Sequence, residues 1–146
     1  MMQIISAAER LAEKRGHKIV VAGKSGVGKT SLVRTLDMDK TLFMDLEAGD
    51  AAIEGCEVDV IRPRTWQECR DFACFLGGGN PALSDDSPYS MAHYEYVCQM
   101  YGDPEAVLQK YDTIFIDSIT VAGRLCFTHN QNQPEARSDR TGKLDT

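Results

Sequence analysis

Long apolar runs are missing from this sequence. No window approaches the roughly 18 consecutive apolar residues of a membrane-spanning helix, and the opening MMQIISAAERLAEKRG is amphipathic rather than a charged stub followed by a greasy core. A cytoplasmic protein with no membrane partner is expected. Paired cysteines are also missing: Cys56, Cys69, Cys74, Cys98 and Cys126 are odd in number and form no C-x-x-C, so neither a disulfide framework nor a zinc site is signalled. Reduced, mostly buried thiols are expected. His17, His93 and His129 are scattered without metal-ligand spacing. A positive balance is lacking as well, since 22 acidic residues face 16 basic ones and the formal charge is -6, which argues against attachment to nucleic acid or anionic lipid by bulk charge. What basic character exists is concentrated early: residues 1–34 hold seven Lys/Arg and two Asp/Glu (+5), leaving -11 for the remainder.

With 146 residues, 42% hydrophobic and 26% charged, the chain has the composition of one soluble globular domain. Residues 1–16 read as an amphipathic helix, with Ile4, Ile5, Ala8, Leu11 and Ala12 at helical spacing and Gly16 ending it. His17 to Ala22 (HKIVVA) reads as a strand buried on both faces. GKSGVGKT follows, then the helical pattern SLVRTLDM and a second strand from Lys40 to Leu46. Val58 to Ile61 is a third strand, stopped by Pro63. Thr65 with Glu68 forms a capping box for a helix reaching about Leu76. Residues 77–88, GGGNPALSDDSP, read as a flexible loop or lid. Residues 89–101 and 104–110 read as helices, Tyr111 to Asp117 as a fourth strand, and Ser118 to Phe127 as a further helix. From His129 to Thr146 the chain is a polar tail. Alternating strands and helices predict an α/β fold, a three-layer P-loop sandwich around a mostly parallel sheet. Its core spans 17–128, and the short run after the fourth strand suggests a fragment.

Gly23-Lys24-Ser25-Gly26-Val27-Gly28-Lys29-Thr30 fits G-x-x-x-x-G-K-[ST] between a strand and a helix. Its glycines allow the backbone to fold around an anion and aim N–H groups at phosphate oxygens, and the following helix, opening with Ser31, adds its dipole. Lys29 reaches the β- and γ-phosphates, and the Thr30 hydroxyl ligates Mg2+. Thr113-Ile114-Phe115-Ile116-Asp117-Ser118 supplies an apolar strand ending in an acid, a Walker B pattern in which Asp117 holds Mg2+ through a water. The second strand ends in Asp45-Leu46-Glu47, whose acidic side chains share one face. Glu47 is the candidate for orienting water at the γ-phosphate; its competing reading is a solvated strand end.

These three stretches resemble the RecA-like P-loop ATPases, in particular the short phage and prophage ATP-binding proteins of the AAA superfamily that include single-strand annealing proteins. GKSGVGKTSL is similar to their Walker A, TLFMDLEAGDAA to the strand ending in their catalytic glutamate, and YDTIFIDSIT to their Walker B. The resemblance covers about 17 to 127. It implies ATP and Mg2+ as cofactors, Lys29 and Glu47 as catalytic, residues 23–31 as the nucleotide loop, Thr30 and Asp117 as metal contacts, and single-stranded DNA and a homo-oligomer as partners in recombination or repair. Members of the family continue beyond their Walker B with strands and DNA-contacting loops, whereas this sequence ends at Thr146, and turnover is open on that ground.

A non-catalytic nucleotide-binding remnant is the alternative. Against a GTPase, Asp117 is followed by Ser-Ile-Thr and not by the glycine three residues later that such switches use, and Gly142-Lys143-Leu144-Asp145 lacks the Asn of a guanine-reading N-K-x-D. A small-molecule kinase needs lid arginines, which 77–88 lacks. Tyr94, Tyr101, Met91, Val97 and Cys98 fall at helical spacing and favour packing over base stacking. Arg62 and Arg64 flank Pro63 at a strand end, either as ligand contacts or as solvated charges.

Overall fold

The computed structural model describes residues 5–12, 16–47 and 53–137. Three strands form a wholly parallel sheet, β1 (Thr41–Asp45), β2 (Asp59–Ile61) and β3 (Thr113–Asp117), in the order β2-β1-β3. The central β1 is buried along its length, which accounts for its near-continuous apolar reading. It pairs with β3 in unbroken register from Thr41↔Thr113 to Asp45↔Asp117. The α/β fold with a parallel sheet is as the sequence predicts.

Alternation along the strands divides two cores. On one face Phe43 stacks on Phe115 with ring centroids 5.4 Å apart, and Val33, Ile53 and Val58 close around Phe43. On the other, Met44 and Leu46 meet Cys69 and Trp66 of helix α2 (Trp66–Gly77) and Val121 and Leu125 of α5 (Ile119–Gln131). Helix α1 (Ala7–Ala12) precedes them, and α3 (Met91–Tyr101) and α4 (Pro104–Lys110) lie between α2 and α5 in the sequence. A third cluster, Cys74, Phe75 and Val97, joins α2 to α3. Val97 lies in this cluster, Tyr94 and Cys98 pack against it and Tyr101 adds an edge-on contact to Phe75, so the packing read from helical spacing holds for part of that face, whereas Met91 and much of Tyr101 are exposed.

Local chemistry sets the helix ends. Thr65 accepts from the Glu68 amide at 3.2 Å while the Glu68 carboxylate accepts from the Thr65 amide at 3.0 Å, the capping box read from sequence. Ser6 and Glu9 make the same exchange at α1. The 77–88 tract is irregular, as expected, yet it is fastened: the Asn80 amide donates to the Tyr89 carbonyl at 2.7 Å, and Ser90 is fully buried. His93 holds this exit by accepting from the Tyr89 amide at Nδ1 (2.9 Å) while its Nε2 lies 2.9 Å from Asp71.

Four expectations are corrected. Residues 17–22 form no strand, and Ile19 and Val20 are 81% and 87% exposed; β-branched residues favour a strand only where a neighbouring strand supplies the ladder, and among the described residues none pairs with them. The helix expected after the glycine loop is divided into two 3-10 segments, Thr30–Thr35 and Met38–Lys40. Thr35 and Thr41 hydroxyls take the carbonyls of Leu32 and Asp37, a local competition with helical bonding. The five cysteines are free, but only Cys69 and Cys74 are buried. The last helix also runs beyond Phe127 to Gln131, and the basic Ser138–Lys143 stretch lies outside the described residues.

Candidate functional site

The glycine loop, residues 23–30, turns at Gly26 (φ 79°) and Gly28 (φ 89°), conformations that other residues rarely adopt. At Gly23 a Cβ would sit 3.0 Å from the Val27 side chain. Lys24, Ser25 and Val27 are exposed, as is Ser31, so their side chains are not what shapes the loop. Lys29 is: its ammonium donates to the Gly23 and Lys24 carbonyls, each at 2.9 Å, drawing the loop into a ring around its own cation. The expected helix dipole behind the loop is weak, because only one six-residue 3-10 segment follows.

Val33 is fully buried against Phe43, which seats that segment on the sheet face where Asp45 and Asp117 project. The Thr30 hydroxyl donates to the Asp117 carboxylate across 87 residues of sequence. The two residues expected to share a cation are thereby in direct contact. The Leu46 amide donates to the Asp117 carbonyl at 2.8 Å, extending the β1–β3 pairing to the strand ends. The peptide joining Asp117 to Ser118 is cis. The Ser118 hydroxyl donates to Glu47 Oε1 at 2.5 Å, so Glu47, though exposed, is tied to the end of β3. Lys29, Thr30, Asp117 and Glu47 thus converge at the carboxyl ends of parallel strands, the region where open α/β sheets bind ligands.

Sequence reasoning left two features undetermined. Asp45 is 2% exposed, and Arg62 at the end of β2 places Nε 3.3 Å from its carboxylate. Arg64 adds a long 3.4 Å bond to the Asp45 carbonyl. The alternation Asp45-Leu46-Glu47 and the pair Arg62, Arg64 were the available signals, but only the strand order shows that β1 and β2 are neighbours.

Among the described residues no three His, Cys, Asp or Glu side chains converge as a metal cage. One hydroxyl and one carboxylate, completed by phosphate oxygens and water, is nonetheless the donor set that suits Mg2+, which keeps several waters and takes few protein ligands. Thr30 and Asp117 fit it. No described helix is long and apolar enough to cross a membrane.

Neither a curated protein nor a solved structure matches this chain. A family model described as an AAA domain matches residues 15–146, which takes in the glycine loop and all three strands. The chain belongs to this AAA domain family of P-loop ATPases, and nucleotide binding is the property that membership brings.

Proposed function

We propose that the protein binds ATP on residues 23–31 and hydrolyses it with Mg2+. The contact between Thr30 and Asp117 carries this reading, because a hydroxyl from the loop and a strand-end carboxylate meet without any ligand to draw them together. The Lys29 ammonium exchanges the Gly23 and Lys24 carbonyls for phosphate oxygens as its acceptors, and the glycine-loop amides turn toward the same anion. Bound Mg2+ supplies neutralisation of phosphate charge, with Thr30 and Asp117 as its protein contacts. Glu47 orients the attacking water and accepts its proton at a carboxylate oxygen, while the Ser118 hydroxyl fixes the carboxylate's direction. Catalysis of this kind rests on positioning and electrostatics.

The proposed biological setting is RecA-like action on single-stranded DNA by a homo-oligomer in phage-type recombination or repair. It is supported by the resemblance of GKSGVGKTSL, TLFMDLEAGDAA and YDTIFIDSIT. A second reading, nucleotide binding without turnover, is favoured by the 17–22 segment ahead of the loop, which pairs with no strand among the described residues. Hydrolysis of ATP and of GTP with Mg2+, with and without single-stranded DNA, separates these. ATP-selective, DNA-stimulated turnover supports the proposal; binding without turnover supports the second reading, and GTP selectivity refutes both the ATP assignment and the DNA role.

A further inference from the structure

Asp45 and Asp117 are register partners on adjacent parallel strands, and the stack of Phe43 on Phe115 two residues earlier shows that this alternation points both carboxylates to the same face. Neighbouring strands lie about 4.8 Å apart. Two like charges at about that distance, in an effective dielectric of about 20, shift an equilibrium by roughly two orders of magnitude. Two acids side by side beneath a phosphate loop are a stronger cation trap than one Mg2+ requires. Arg62 intervenes: its Nε lies 3.3 Å from Asp45 Oδ2, with Asp45 buried and the arginine side chain 47% exposed. Arg64 braces the same residue through its carbonyl at 3.4 Å.

We infer that Arg62 is a positioning residue that holds Asp45 out of the metal's coordination and limits these strand ends to one divalent cation, shared by Thr30 and Asp117. The inference rests on the nucleotide reading of the site. Removing the guanidinium lowers the positive charge beside the two carboxylates by one, whatever else Asp45 touches, and so strengthens their pull on a dication. Damage to the fold only weakens cation binding, so tighter binding separates this role from a merely structural one.

Mn2+ binding in the presence of ADP, followed by the loss of the free-ion electron paramagnetic resonance signal, tests it without turnover. Arg62→Gln should bind Mn2+ at least tenfold tighter than the unsubstituted protein, or take up a second ion. Arg62→Lys, which keeps the charge, and the double substitution Arg62→Gln with Asp45→Asn should both return to a single ion at the original affinity. Asp45→Asn alone, which removes one negative charge and leaves Arg62 in place, should weaken Mn2+ binding by about tenfold while still taking one ion, and it answers the question even if Arg62→Gln fails to fold. Unchanged binding in Arg62→Gln overturns the inference while sparing the nucleotide site. Unchanged binding or complete loss of binding in Asp45→Asn overturns it too, since in the first case the carboxylate does not act on the cation and in the second it is a ligand. Absence of Mn2+ and ADP binding in the unsubstituted protein overturns both this inference and the proposed function.

Discussion

Replacing Thr30 with valine keeps the shape of the side chain and removes one hydroxyl. That hydroxyl is half-buried and donates to a carboxylate on a strand 87 residues away. A hydrogen bond to a charged group is worth about 1.5–3 kcal/mol, and the site's partial exposure puts the expected loss near the lower end, about 1.5–2 kcal/mol. For a chain of this size each kcal/mol moves the melting temperature by about 2–4 °C, so Thr30→Val should melt roughly 3–8 °C lower without nucleotide. Thr30→Ser should melt near the original temperature. Urea denaturation of Thr30→Val, Asp117→Asn and their combination isolates the contact: the double variant should cost about 1 kcal/mol less than the sum of the singles. Strict additivity, or Thr30→Ser falling as far as Thr30→Val, would refute the claim that the loop and β3 are joined through this pair.

Glu47→Gln should bind the ATP analogue normally and lose turnover by at least a hundredfold, measured by phosphate release; retained turnover removes Glu47 from its proposed role. Phe43→Ala should cost about 3–5 kcal/mol in urea denaturation, because Phe43 is 2% exposed and joins Val33 to the Phe115 ring. The backbone amides of Arg64 and Thr65 hold the Glu68 carboxyl below its ordinary value of 4.5, so its contribution is present above that pH and is lost as pH falls through the lower folded value. Thr65→Ala should cost about 1 kcal/mol by thermal melting at neutral pH, whereas Glu68→Gln should flatten the decline below pH 4.5. Burial pushes the Cys69 and Cys74 thiols upward, so at pH 8 a thiol reagent should label Cys56, Cys98 and Cys126 first and reach the other two only on unfolding.

Much of this organisation was legible before any coordinates, and the reasons are local. The Thr65–Glu68 capping box, the stop at Pro63 and the apolar runs of β1 and β3 are each written within a few residues, so each emerged close to where it was read. The Thr30–Asp117 contact is also legible, because the motif chemistry requires a carboxylate at a neighbouring strand end. Residues 17–22 misled for a physical reason: Ile19, Val20 and Val21 carry strand propensity, but a ladder needs a partner and propensity does not name one. The 3-10 breaks after Thr30 depend on hydroxyl-to-carbonyl bonds that helical periodicity does not register. Arg62 beside Asp45 was beyond reach, since it follows from β2 lying next to β1 rather than from any spacing along the chain.

Calorimetric titration of a slowly hydrolysed ATP analogue with Mg2+ into the purified protein and into Lys29→Ala tests the nucleotide site most directly. Saturable one-site binding to the unsubstituted chain, reduced at least a hundredfold in Lys29→Ala, is the predicted result. No binding to the unsubstituted chain, or equal binding to both, would contradict the assignment of residues 23–31 as the nucleotide loop.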